Sequence, residues 1–571
     1  MGSVPRGLRQ VLQKSPSDIV ILSSVRTAIT RAKKGGFKDA YPEELLAHVL
    51  KATLAANPNL DPALIDDVAI GSVLQELGGA KAGRMAQIHA GFPHSVPFHT
   101  INRQCSSGLA AITTVANGIR SGGIDIGVGG GMESMTRNYG SRAIPTVLWP
   151  ELKDSPSKDS RDCIMPMGIT SENVASRYGI SRADQDAFAA HSHHKAAAAQ
   201  AAGLFDAEIV PVTTKVFDAE HPDAPPRDLT VSKDDGIRPT VSVEKMANLK
   251  PAFAENGTST AGNSSQVSDG AAATLLMRRS TATELGLTSA IKGRWVATAV
   301  AGVAPDEMGV GPAVAIPKLL GQVGLEVADV GIWEINEAFA SQALYSVRKL
   351  GIDEAKVNPK GGAIALGHPL GATGARQLAT LLPELERTGQ EVGVVTSINY
   401  IQNSILAWKT TSDVIANYLT LSILHTQHNK TSSSTFVWLI ATRDDSRELP
   451  QPAHFSVFVP FITDPREGSL ISIVGTPTTG YQLEFERSYS YKTICLYCQP
   501  PIKESVPQGN LEITATQVPV PGITEGFKGS ASGKSAKRSQ EWTTEYIKHL
   551  IFKDYVDPVA IEIVQSVFPD L

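Results

Sequence analysis

One order of elements occurs twice in this chain. A Val/Ile-rich run (Asp18 to Leu22), a helix-forming stretch (Glu43 to Ala55), an apolar run (Val68 to Gly71), a Gly-flanked helix start after Cys105 and a further run (Ile124 to Gly129) come first. The same order returns as Trp295 to Val300, Ala313 to Leu320, Gly331 to Ile335, the helix after Gly371, and Glu391 to Val395. Short β-branched runs alternating with Ala/Leu-rich helices specify a layered α/β fold. Their repetition predicts two halves of common topology, related by duplication, with reactive loops facing each other across the interface.

The rest of the chain is arranged around these halves. A basic leader (residues 1–17) carries Arg6, Arg9 and Lys14 with no acid, and reads as an address segment or a frayed basic end. The first half occupies residues 18–290 and includes a lid insertion at about 132–250, where polar and Pro-rich stretches surround the Ala-rich helix Arg182 to Ala202. The second half covers 291–409. A Ser/Thr/Asp/Asn-rich linker (410–450) leads to a separate small α+β unit at 451–571, opened by the alternating run His454 to Val459 and closed by helical stretches at Gln540 to Phe552 and Pro558 to Phe568.

Composition narrows the function. A net charge of -5 gives no global basic field for nucleic acid or an anionic membrane, so any cationic site is local. No apolar run approaches the ~20 residues of a membrane-spanning helix. The four cysteines, at 105, 163, 495 and 498, are too few and too scattered for a disulfide scaffold, which points to a reducing compartment where thiol chemistry is open. No metal site is expected. Cys495-Leu496-Tyr497-Cys498 has redox-like spacing but lacks the second pair of a zinc site, and reads as an ordinary strand segment.

Three residues stand where the repeat puts reactive loops. Cys105, in Asn102-Arg103-Gln104-Cys105-Ser106-Ser107-Gly108, precedes a good helix former, and a helix N-terminus favours thiolate. His368 occupies the equivalent point of the second half, within Gly361 to Gly374, where glycines permit a tight turn that can aim an imidazole at a thiol. Asn336 follows the strand Gly331 to Ile335 and can orient a water or an oxyanion. Taken singly each has a structural reading: a core cysteine, a turn histidine, a strand-end turn former.

Together with Gly131-Met132-Glu133-Ser134-Met135, Pro166-Met167-Gly168-Ile169-Thr170-Ser171-Glu172-Asn173, Thr260-Ala261-Gly262-Asn263-Ser264-Ser265 and Asn336-Glu337-Ala338-Phe339, these motifs resemble 3-ketoacyl-CoA thiolases of the peroxisomal type over about Asp18 to Ser397. The resemblance implies a duplicated five-layer α/β/α/β/α core with a coenzyme A-binding lid, assembled as a homodimer. It implies that Cys105 is the acylated nucleophile, His368 its activating base and an oxyanion donor, and Asn336 the holder of an oxyanion-site water. Arg238 and Ser265 are implied to contact coenzyme A, which is a substrate alongside acyl-CoA; no permanently bound cofactor is implied. Pro166-Met167-Gly168, where acetoacetyl-specific relatives show His-Met-Gly, tilts substrate choice toward longer 3-ketoacyl chains. The implied location is the peroxisome, with the cytoplasm as the alternative: the leader approximates the N-terminal peroxisomal address, whereas Pro569-Asp570-Leu571 is not the C-terminal one.

The resemblance breaks at one place. After Glu391 to Ser397 the chain reads Ile398-Asn399-Tyr400-Ile401 where the family has Met-Cys-Ile-Gly. Asn399 replaces the second catalytic cysteine and cannot donate and regain a proton at neutral pH, while Ile401 replaces a glycine whose N–H serves as an oxyanion donor. Thiolytic activity is therefore expected to be impaired. Two other readings stay open: a decarboxylating, ketosynthase-like condensing enzyme, and a non-catalytic acyl-CoA-binding pseudo-thiolase. The break falls inside a motif rather than at a domain edge, which favours read-through of an exon boundary over a true fusion. The tail resembles short fungal proteins of unassigned function.

Overall fold

The computed structural model describes residues 6–397, except 140–143, 146, 219 and 222; beyond them it describes the backbone of strands at 402–408, 418–422, 436–442, 454–460, 467–476, 480–490 and 502–504, with Glu545 and Lys548. The chain divides into two compact units, Met1–Thr410 and Thr411–Leu571.

In the first unit the repeated elements become β1 (Ile19–Thr27), α1 (Pro42–Ala55), β2 (Asp67–Gly71), α2 (Ala80–His89), β3 (Phe98–Ile101), α3 (Ser107–Ser121), β4 (Ile126–Ser134), the lid helix α4 (Arg182–Ala201) and β5 (Ser268–Arg278). The second half supplies β6 (Gly293–Val300), α5 (Gly311–Val323), β7 (Ile332–Ile335), α6 (Ala340–Leu350), α7 (Thr373–Thr388), β8 (Val392–Ser397) and β9 (Gln402–Trp408). The first half runs in the order β3-β2-β4-β5-β1, with β2 parallel to both β3 and β4 and with β5 antiparallel to β4 and β1. The second runs β7-β8-β9-β6 with the same senses, and a parallel bridge between Trp333 and Val357 stands where β3 stands in the first half. The repeat read from the sequence is thus a repeat of topology. Antiparallel pairing of Ile19–Ile21 with Gly293–Trp295 joins both halves into one sheet, eleven-stranded when the two-residue strands Thr30–Arg31 and Ile209–Val210 at its side are included.

Strand alternation builds the layers. Val20 and Leu22 of β1, Val68 and Ile70 of β2, and Ala271, Ala273, Leu275 and Met277 of β5 pack outward with Leu45, Leu46, Val49 and Leu50 of α1. Their neighbours Ile19, Ile21, Ala69, Ala272 and Leu276 face inward onto α3 and α7. In the second half Trp333, Ile335, Val392 and Val394 turn to Ile316 and Leu319 of α5 and Leu344 and Val347 of α6, while Ile332 and Val395 face inward. Helices, sheet, central helices, sheet, helices: five layers result, as expected. α3 and α7 are therefore covered on both sides. That explains why α7 buries Thr373, Arg376, Gln377, Thr380 and Glu384 as well as its leucines.

Some elements differ from the sequence reading. β4 continues to Ser134, paired as Met132 to Ala271, Glu133 to Gly270 and Ser134 to Asp269, so the lid segment starts after it. Glycines and polar residues there mimic a strand end, yet Glu133 and Ser134 find buried partners. The leader docks rather than frays: Leu8–Leu12 is a short helix whose Val11 is buried against the second half. In the second unit, six strands follow one another as an antiparallel meander. Two of them, Tyr418–Ser422 and Phe436–Thr442, lie in the stretch expected to be a linker. The apolar run Phe436 to Ala441, of core-strand length in the sequence, forms the second of them despite its Ser/Thr-rich surroundings. The helical stretches expected at 540–552 and 558–568, and Cys495 and Cys498, lie outside the described residues apart from Glu545 and Lys548.

Candidate active site

The carboxyl ends of β2, β4 and β8 come together where the N-termini of α3 and α7 meet: a Cβ on Gly71 would stand 2.3 Å from the Gly108 nitrogen, one on Gly131 2.1 Å from the Gly371 carbonyl oxygen, and Ser397 reaches the Cys105 carbonyl. Ligands bind at such carboxyl ends in open α/β sheets. The helices approach through backbone: a Cβ on Gly108 would stand 2.8 Å from the Gly371 carbonyl oxygen, and one on Gly374 would stand 2.7 Å from the Leu109 nitrogen. The Cys105 loop and the His368 loop are thereby adjacent.

Cys105 is buried just before α3, whose N-cap is Ser106. The chain enters it through Gln104, held at φ 48° in the left-handed region, a conformation that non-glycine residues adopt at a cost. Local hydrogen bonds fix it. Asn102 Oδ1 accepts from the Gln104 N–H at 3.0 Å, and Ser107 Oγ accepts from the Arg103 N–H at 2.9 Å while donating to the Gln104 carbonyl at 2.5 Å.

His368 follows Gly367, which takes φ 112° and has Ser268 Oγ only 2.3 Å from where a Cβ would sit, so only glycine fits. The His368 N–H donates to the Gln266 carbonyl at 3.0 Å. Thr373 Oγ1 donates to the Pro369 carbonyl at 3.0 Å, so at 2.7 Å its oxygen receives a proton from His368 Nδ1. That network assigns the tautomer: Nε2 keeps the lone pair, and Asn336 Nδ2 donates to it over a long 3.5 Å. Burial, with Arg376 nearby, pushes the imidazole down to about 3, so it is neutral at physiological pH and its Nε2 is unprotonated. The expected result is that C2-proton exchange at His368, followed by mass spectrometry, shows no titration between pH 5 and 8. An inflection near the ordinary 6.5 would remove the neutral-base assignment.

Asn336 is fully buried, and its Oδ1 has no hydrogen-bond partner among the described residues. A buried acceptor of this kind is costly unless water or substrate fills it. Its backbone is fixed on both sides: the Asn336 N–H donates to the Thr396 carbonyl at 3.2 Å, and Gln342 Nε2 donates to the Asn336 carbonyl at 3.0 Å. The next residue along β8, Ser397, donates its hydroxyl to the Cys105 carbonyl at 2.7 Å. One dipeptide at the end of β8 therefore touches both the Cys105 loop and Asn336, and Asn336 touches His368. The three residues singled out in the sequence lie on one connected set of hydrogen bonds.

Ser265 is at the rim. Its N–H donates to the Ala338 carbonyl at 2.9 Å, one residue before Gln266, which holds His368. Arg238 is exposed on the lid, with its N–H donating to His193 Nδ1 at 3.2 Å. The supporting residues Thr373, Thr396, Ser397 and Asn358 escaped sequence reading. Asn358 takes φ 43° and pairs its amide with both backbone groups of Ile335 and with Glu337; the Asn-Pro turn signal was its only trace. Asn399 and Ile401 lie outside the described residues.

The fold and site are those of an acyltransferase built by duplication. Comparison with known proteins agrees. The thiolase N-terminal domain matches residues 19–280 and the thiolase C-terminal domain residues 289–401; a family of unknown function matches residues 437–557. The peroxisomal 3-ketoacyl-CoA thiolase of Yarrowia lipolytica is 54% identical over 391 residues, covering 68% of this chain and 92% of that protein. The human peroxisomal 3-ketoacyl-CoA thiolase is 54% identical over 385 residues, covering 67% and 88%. The crystal structure of the dimeric peroxisomal thiolase of Saccharomyces cerevisiae is similar with a TM-score of 0.63 and 46% identity, covering 70% of this chain and all of that one. The chain belongs to the thiolase family.

Proposed function

We infer that this chain is a 3-ketoacyl-CoA thiolase of peroxisomal β-oxidation that forms an acyl-enzyme on Cys105 and completes the cycle poorly. The observation that carries the first part is the connected set joining Cys105, Asn336 and His368 at the strand ends. His368 Nε2 takes the Cys105 proton, and the thiolate attacks the 3-keto carbon. Asn336 Oδ1, without a partner among the described residues, orients a water that donates to the developing oxyanion. The bond between the α and β carbons then breaks, leaving the acyl group on sulfur and acetyl-CoA as an enolate that must take up a proton. A second coenzyme A thiol accepts the acyl group and releases Cys105. Coenzyme A is thus a substrate, held by Arg238 as a charge and Ser265 as a hydrogen bond near the pantetheine.

Protonating the enolate is the weak step, because Asn399 stands where the family's proton-donating cysteine is expected. The dimeric yeast relative supports a homodimer here. So does β3, an edge strand that is half-buried throughout and paired on one side only among the described residues.

The test is coenzyme A-dependent thiolysis of a medium-chain 3-ketoacyl-CoA by the 571-residue chain, with Cys105→Ala as background. The expected result is an acyl adduct on Cys105, absent from the variant, with turnover close to background. Turnover far above background would show that another group replaces the missing cysteine; malonyl-CoA decarboxylation without thiolysis would favour the condensing-enzyme reading.

A further inference from the structure

Duplication gives each half the same loop to hold, and the structure holds each with the other half. Past its pairing with β2, β4 presents Glu133, fully buried, whose Oε2 accepts the Gly371 N–H of the His368 loop at 2.9 Å. Past its pairing with β7, β8 presents Ser397, also fully buried, whose Oγ donates to the Cys105 carbonyl of the nucleophile loop at 2.7 Å. The ties are reciprocal. Glu133 additionally gathers the N–H groups of Val73 and Leu74 and the Gln75 amide, so its tie is one bond of several. Ser397 brings a single hydroxyl to the nucleophile itself.

We propose that Ser397 is the positioning residue for Cys105, a role that rests on Cys105 being the nucleophile. Gln104 enters Cys105 with a left-handed backbone, a conformation that persists only where the surroundings over-determine it. Hydrogen bonds from Asn102 and Ser107 fix the N-terminal side of that turn. The Ser397 hydroxyl fixes the far side by holding the Cys105 carbonyl, and so sets the peptide plane from which the thiol projects. Thr396, its neighbour, holds Asn336 by a backbone bond instead, its carbonyl accepting the Asn336 N–H. Ser397 is also the last residue before the divergent sequence Ile398 to Ile401, so the nucleophile keeps its anchor although the loop beyond has changed.

The experiment measures alkylation of the full-length chain by iodoacetamide across pH 6–9, with peptide mass spectrometry resolving Cys105 from the exposed Cys163, which serves as internal reference. Ser397→Val and Ser397→Thr introduce side chains of closely similar shape that differ in the hydroxyl. The expected result is that Ser397→Ala and Ser397→Val slow Cys105 labelling by ~10-fold or more and shift its pH profile, that Ser397→Thr keeps it near wild type, and that Cys163 is unaffected. Cys105 labelling within twofold of wild type in folded Ala and Val variants overturns the positioning role. So does parallel slowing of Cys163, and so does failure of both hydroxyl-free variants to fold while Ser397→Thr folds, since the hydroxyl then serves the fold alone. A wild-type Cys105 that is not labelled overturns the nucleophile reading itself, and is distinct from a labelled wild type with unchanged variants.

Discussion

Asn399→Cys combined with Ile401→Gly raises coenzyme A-dependent thiolysis by ~10³-fold or more over the natural chain. Two separate losses are reversed together. General acid/base help is worth ~10²–10⁴ and one oxyanion donor ~10²–10³; because groups that act as a unit are not additive, the combined gain is set at the lower bound rather than the product. The remaining machinery is in place to receive them: β8 ends beside Asn336 and Cys105, and β9 pairs with β8 from Ser397 to Val392 as a closing strand. Asn399→Cys alone gains less, since Ile401 keeps an N–H but its β-branched side chain resists the backbone angles a glycine adopts. Stopped-flow loss of the 3-ketoacyl-CoA enolate absorbance reads both variants against Cys105→Ala. A double variant no faster than the natural chain would mean that the defect is not in this loop.

The second large effect is on stability. Arg26→Met destabilises the first unit by about 3–5 kcal/mol, the cost of breaking a buried ion pair by removing one partner. Arg26 of β1 is fully buried; its Nε donates to Glu208 at 2.7 Å and its Nη1 to Asp234 at 2.8 Å. Glu208 also accepts from Lys360 at 2.7 Å and from Thr380 at 2.8 Å. The network thus joins a strand of the first half, two lid residues, and a loop and helix of the second. Burial disfavours every one of these charges. Even so, Asp234 and Glu208 raise the Arg26 pKa, and Arg26 and Lys360 outweigh desolvation to lower that of Glu208. A depressed folded-state carboxylate contributes stability that is present above its ordinary 4.5 and lost as pH falls through its folded value. Urea unfolding at pH 7 and at pH 4 checks both parts: the variant loses midpoint at pH 7, and the gap to wild type narrows in acid. Equal midpoints at pH 7 would mean that water or rearrangement replaces the guanidinium at no cost.

The fold was legible because its signal is periodic. Strands such as Ile19–Leu22 and Val392–Val395 carry apolar residues on both faces, as strands between helix layers must, and the order of elements repeats. Cys105, Asn336 and His368 were legible because each sits at a turn between a strand or glycine run and a helix. The supporting residues were not. Ser397, Thr373 and Thr396 are small hydroxyl residues of no distinctive spacing, and their meaning depends on partners 292 residues away for Ser397 and on 5 for Thr373. Glu133 showed as part of a motif, but nothing local reveals that its carboxylate reaches Gly371 across 238 residues and that burial holds it up to about 7. The strand at 418–422 was missed because polar residues surround a short apolar run.

The crossed attachment of Glu133 to Gly371 and Ser397 to Cys105 has a historical consequence. Two copies of one ancestral half began as equals, each capable of folding the same way. Once each copy's reactive loop was steadied by its sister, neither could be swapped, lost or replaced by a fresh duplicate without disarming the other. A change at either strand end is therefore felt in the sister half's reactive loop, 238 residues away for Glu133 and 292 for Ser397.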